Sequence, residues 1–110
     1  MSATFKHGRP LMIDHTPGSD VTAGDVVELD SCVRIAHSDI PSGQLGALAS
    51  GGGVYEVDKV SAQAWADGES IYWDDSAELF TTVSTDNTLA GKAAAAAANP
   101  SAKGLLQHIV

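Results

Sequence analysis

Four histidines, one cysteine and a scatter of carboxylates are the side chains with chemical potential in this 110-residue sequence. His7, His15, His37 and His108 could in principle gather on a metal, but ligand pairs on a strand usually show close spacing such as H-x-H, and none occurs. Surface or edge positions are the expected places for them. Cys32 stands alone, so neither an intrachain disulfide nor a thiolate zinc site can be built from this chain. It opens an apolar stretch, which suits a buried, inert thiol. Asp74-Asp75 with Glu78 resembles a calcium loop but lacks the glycine and the alternating oxygen ligands, so a solvated β-turn is the better reading. Ser19, Ser42 and Ser50 lack the neighbours of a nucleophile elbow. Gly91-Lys92 is followed by Ala93 where a phosphate-binding loop needs Ser or Thr. The triple glycine Gly51-Gly52-Gly53 fits a bend or bulge before a strand. Trp65, Tyr72 and Trp73 could stack on bases or sugars, yet in a chain with so few aromatics they are expected to form the core. No catalytic, cofactor-binding or metal-binding residue is assigned, and nothing here asks for an enzyme.

Composition narrows the partners. The 6 Lys and Arg against 14 Asp and Glu give a net charge of −8 at pH 7. Lys6, Arg9, Arg34, Lys59, Lys92 and Lys103 form no basic stripe, and nucleic-acid affinity rests on neutralising phosphates, so no nucleic-acid partner is expected. No secretory pattern marks Met1–Pro10 and no apolar run is long enough to span a bilayer. The expectation is a soluble protein made in a cytoplasm, with no membrane partner and no small-molecule substrate.

The elements that must position these residues are short. With 44% apolar and 18% charged residues the chain is not compositionally disordered, and its 11 Gly and 4 Pro turn it often. Residues 1–10 read as a polar N-terminal arm, and residues 11–110 as a single β-domain. Leu11–His15 is a candidate strand. Val26–Leu29 and Cys32–His37, separated by Asp30-Ser31, read as a hairpin. Gln44–Ala49 alternates Leu45, Ala47 and Ala49 with other residues, and Val54–Val60 alternates Tyr55 and Val57 with Glu56 and Asp58. Ser61–Ala66 could form one helical turn. Ser70–Trp73 and Glu78–Val83 are strands around an Asp74–Ala77 turn, and Gly104–Val110 is a terminal strand. The six alanines Ala93–Ala98 argue helix by propensity alone. The fold class is all-β: a small barrel or sandwich of short strands with at most one short helix.

Two blocks carry a resemblance. Gly53-Val54-Tyr55-Glu56-Val57-Asp58-Lys59, then Ala64-Trp65-Ala66-Asp67-Gly68-Glu69-Ser70-Ile71-Tyr72-Trp73-Asp74, follow the pattern G-V-[FY]-x-[LV]-x-K, an alanine-rich turn, and G-[DE]-x-[VI]-Y-W-D. Ala23–Val27, Asn87, Gly91–Ala98 and Gly104–Val110 complete the order. From about Val21 onward the chain resembles the phage capsid decoration (cement) proteins, a family once called uncharacterised and sometimes labelled RecA/RadA recombinase. In its members the small-residue run after the glycine is extended, so the resemblance implies strand for Gly91–Ala97. A β-clip-like arrangement, as in the decoration protein of phage lambda, is one form the fold could take.

The resemblance implies a non-enzymatic virion protein that binds the exterior of an assembled tailed-phage head and stabilises the expanded shell. Its implied partner is the major capsid protein, and analogy with other decoration proteins implies a homotrimer. A polar, basic arm that adds little to a core of its own is the candidate capsid contact: Thr4, Phe5, Lys6, His7 and Arg9, with Phe5 as apolar anchor and strand addition as the mode. The alternatives are a generic β-barrel adaptor or another virion structural part, and, as a lesser one, a DNA-binding recombination protein.

Overall fold

The computed structural model describes residues 3–29 and 32–109. Among them there are ten strands and no helix: β1 (Ala3–Gly8), β2 (Met12–His15), β3 (Val26–Glu28), β4 (Val33–Ala36), β5 (Gly46–Ala49), β6 (Gly53–Asp58), β7 (Ser70–Asp74), β8 (Leu79–Thr81), β9 (Thr88–Ala93) and β10 (Lys103–His108). They form a six-stranded sheet in the order β1-β6-β10-β9-β7-β8 and a four-stranded sheet in the order β2-β5-β4-β3. Neighbouring strands in both sheets are antiparallel.

Period-two patterning builds the first sheet. Tyr55 and Val57 of β6, Ile71 and Trp73 of β7, and Leu106 of β10 are buried, while the residues between them are at least partly exposed. They meet Val33 and Ile35 of β4 and Ala49 of β5 in one core drawn from both sheets, which also takes in Trp65, Phe80 and Ala90. A smaller cluster of Ala36, Ile40 and Leu48, with Val21 and Val27 against it, lies apart from that core. The four-stranded sheet therefore buries residues on both faces. That is why Gln44–Ala49 does not alternate as expected: the strand begins at Gly46, Leu48 and Ala49 are both buried, and Leu45 is 71% exposed.

The expected hairpin is present, with Val26 opposite Ile35, Val27 opposite Arg34 and Glu28 opposite Val33. Its Asp30-Ser31 turn lies outside the described residues. Ser61–Ala66 forms no helical turn. Gln63 N–H reaches only to Val60 C=O, and the carbonyls of Val60 and Gln63 accept hydrogen bonds from the Lys59 ammonium, so a buried charge draws the segment into a turn.

The alanine run is extended, but the strand starts and stops earlier than the expected Gly91–Ala97, at Thr88 and Ala93. Helix formation would have needed these backbone groups for itself. Instead Ala94 N–H donates to Leu105 C=O at 2.9 Å, and Trp65 and Ala97 exchange a pair of N–H to C=O bonds at 2.8 and 3.0 Å. Small side chains permit this approach. A Cβ on Gly91 would lie 2.1 Å from the Gln107 carbonyl oxygen, and one on Gly104 would lie 2.6 Å from the Trp65 ring. Tertiary hydrogen bonding and packing thus override the modest propensity of alanine.

The six-stranded sheet curls without closing into a barrel. A single parallel bridge, Lys59 to Phe80, returns the chain just past β6 to β8, where Val60 N–H donates to Phe80 C=O at 3.0 Å.

Candidate functional site

The segment Ala3–Gly8, expected as a free arm, is the outermost strand of the six-stranded sheet. Ala3 pairs with Val57, Thr4 with Glu56 and Phe5 with Tyr55; the register then shifts, so that His7 faces Val54 and Lys6 is the extra residue of a bulge. Ala3 is buried in the main core, and its N–H donates to Gly24 C=O at 3.0 Å, away from β6. Antiparallel alternation turns the backbone of Phe5 to that same outward side. Thr4, Phe5, Lys6, His7 and Arg9 are all exposed, so the five residues singled out from sequence share one open strand and its exit. That strand completes the sheet, however, and removing it would uncover the buried Tyr55 and Val57 of β6.

Phe5 is 41% exposed yet anchored from beneath, with ring centroids 4.8 Å from His37 and 5.5 Å from Tyr55. Beside it a mainly apolar hollow of about 270 Å³ lies between Ala3 and Phe5 of β1, the Ala23-Gly24 turn, and His37 and Tyr55. The exit of the strand is fixed by glycines. Gly8 and Gly52 have positive φ (108° and 95°), a Cβ on Gly8 would lie 2.8 Å from Gly52 O, and one on Gly52 would lie 2.6 Å from Arg9 O.

Beneath β1 the histidines divide. His7 is exposed and His15 partly so, but His108 is buried, contrary to the expected surface or edge placement. Its Nδ1 accepts from the Gly51 N–H at 3.2 Å, so its other nitrogen carries the proton, and Nε2–H donates to Val33 C=O at 2.8 Å. The ring therefore joins β10 to β4 of the other sheet and to the glycine turn. Burial pushes its pKa down, only partly offset by the bond to Val33. His37 Nε2 lies 2.6 Å from the Tyr55 hydroxyl; burial lowers the pKa of this histidine and pushes the tyrosine up to about 12. Cys32 is partly buried, just before β4. Among the described residues no group of three or more His, Cys, Asp or Glu is placed to hold a metal ion.

The aromatic block expected in the core divides too. Trp65 and Trp73 are buried, while Tyr72 turns outward and is only partly covered. Trp73 Nε1 donates to Asp75 at 2.9 Å, and Asp74 accepts from the Ser76 N–H and hydroxyl and the Ala77 N–H, which makes this acidic run a capped turn. These bonds hold the Asp74 carboxyl below its usual pKa, the Ser76 hydroxyl foremost.

Sequence reasoning missed Lys59 and His108. Lys59 is buried, and its ammonium donates to Val60 C=O (2.9 Å), Ser101 C=O (3.0 Å) and Gln63 C=O, tying two loops together. Burial lowers its pKa. The signal was present: Lys59 continues the inward series Tyr55, Val57, and His108 continues Gly104, Leu106.

The margins of the six-stranded sheet are unlike. At β8 the Lys59–Gln63 segment lies alongside: Gln63 donates through Nε2 to the Thr81 hydroxyl at 2.8 Å and accepts from the Thr82 N–H at 3.1 Å. The β1 margin is basic as well as open, with Lys6 and Arg9 present and no Asp or Glu before Asp14.

No curated protein and no solved structure matches the chain. A family model for phage cement proteins matches residues 5–108, from the exposed phenylalanine of β1 to the buried histidine of β10. This all-β chain, matched over nearly its whole length, belongs to the phage cement protein family.

Proposed function

We propose that the protein binds the exterior of an assembled tailed-phage head, against the major capsid protein, and stabilises the expanded shell as a non-enzymatic homotrimer. The family supports a capsid-associated structural role. The observation that carries the finer reading is the open β1 margin: exposed Thr4, Phe5, Lys6, His7 and Arg9, basic in a chain of net charge −8, beside an apolar hollow. An extended capsid segment added there would gain main-chain hydrogen bonds from the strand, an apolar contact at Phe5, and charge attraction if it carried carboxylates. A plug that binds the expanded shell in preference to its precursor stabilises the shell by mass action, and repeated identical contacts add through avidity. A threefold gap suits cyclic symmetry.

Deletion of the strand would confound binding with folding, so point variants are the cleaner test. Lys6→Glu with Arg9→Glu is expected to leave thermal unfolding of the free protein within a few degrees of the parent, and Phe5→Ser to lower it by about 10 degrees while the chain stays folded; each should lower occupancy on purified heads, measured well below the melting temperature, at least tenfold. Undiminished occupancy for both variants, measured by gel densitometry of washed heads, would remove β1 as the contact.

A further inference from the structure

We infer that His108 is a proton-operated lock on the junction between β1 and β2, and that protonating it frees the turn on which the β1 margin is seated. The geometry is a chain of single bonds. His108 holds the Gly51 N–H through its ring (3.2 Å) and the Gly52 N–H through its backbone carbonyl (2.9 Å). Gly51 C=O in turn accepts from the Leu11 N–H at 2.9 Å, and Leu11 C=O accepts from the Ser50 N–H at 2.7 Å. Gly52 packs against Arg9 and Gly8 too closely for any side chain. One ring thus restrains the whole exit of β1.

A second proton on this ring has nowhere to go without breaking the chain. It would sit on Nδ1, aimed at the Gly51 N–H, and two donors would face each other across 3.2 Å. The groups that face the ring do not welcome a charge. His37, beyond the end of β4, is itself a proton acceptor; Tyr55 on β6 has a ring centroid 6.0 Å away and stays un-ionised; Arg9, on the β1–β2 link, lines a second hollow together with His108, Gly51 and Gly52. Burial disfavours the imidazolium in the same direction. Opening the turn hydrates the ring and lets it titrate at its ordinary value of 6.5. The closed form is therefore fully favoured above that pH and loses ground as pH falls below it, approaching tenfold per unit well below 6.5 while the closed ring stays neutral.

The lock is a property of the free protein; its bearing on the shell rests on the reading of β1 as the capsid contact. Amide exchange by NMR on the free, intact chain at pH 7.5, 6.5 and 5.5 tests it. Corrected for intrinsic rates, protection at Gly51, Gly52 and Leu11 should fall about tenfold between pH 7.5 and 5.5, most of it below 6.5, while Trp65 and Ala97 keep theirs. Equal loss at all five amides, or no loss at Gly51, overturns the lock. His108→Gln should abolish the pH dependence at Leu11; a variant too unstable to measure leaves the parent exchange data to decide. Occupancy on heads should fall over the same pH interval. If the turn opens while occupancy stays constant, and the Lys6, Arg9 and Phe5 variants also bind normally, the β1 reading fails and the lock stands.

Discussion

Lys59 does work that is rarely given to a lysine. Its ammonium is buried and shared among three carbonyls, from the loop that follows β6 and the loop that precedes β10. Charge-assisted bonds of this kind are worth more than neutral ones, and their loss leaves buried acceptors without partners. Lys59→Met keeps much of the volume and removes the donors, so it is expected to cost about 3 kcal/mol in urea unfolding, with little change in m-value. Asp74 works by the same logic on the surface. Its carboxylate accepts from Ser76 and Ala77, its pKa is lowered, and the contribution of this turn is present above the ordinary carboxylate value and lost as pH falls through the lowered one. In Asp74→Asn that part of the acid limb should flatten, which pH-dependent thermal melts would show.

At the level of elements, small residues let the sheet close up. Gly91 faces the Gln107 backbone across the β9–β10 pair, and Gly104 lies under the Trp65 ring. A methyl group at Gly91 meets a carbonyl that cannot rotate away. Gly91→Ala should therefore separate the two strands and cost about 3 kcal/mol, at the upper end for overpacking, whereas Ala95→Gly, outside any strand, should cost under ~1 kcal/mol. Denaturant midpoints of the two variants check the contrast.

The same elements show what was legible beforehand. Alternation in Val54–Val60 placed Tyr55 and Val57 on the inner face, the scarcity of aromatics pointed to Trp73 as core, and the two-residue spacing gave the β3–β4 hairpin. The exposed residues of β1 could be named, but not that they belong to a sheet. Nothing local in Thr4–Gly8 signals that its partner is β6, some fifty residues on. Nor could a turn at Ser61–Ala66 be told from a helical one, because alternation shows that Lys59 points inward but not which carbonyls its ammonium engages. Long-range pairing and burial of a polar group are set by tertiary structure, and local propensity carries little of either.

For the molecule as a whole, a chain with 44% apolar residues, and ten short strands among the described residues, distributes its core between two sheets. On the function proposed above, its work is contact. The homotrimer proposed above predicts a light-scattering mass near three times the 11.3 kDa chain, on heads or before binding. Contacts through Lys6 and Arg9 predict that occupancy falls as salt rises from 50 to 500 mM, by less in the Lys6→Glu, Arg9→Glu variant.

The Lys59–Gln63 segment that lies along β8 has a further consequence for how copies add up. A layer bare on both sides could accept neighbours one after another and grow into fibres. This one is sealed on one flank by its own loop, so stacking by that route stops after a single addition. A surplus of the protein should therefore remain dispersed at high concentration and saturate a shell at fixed stoichiometry, which sedimentation of the free protein over a concentration series would show.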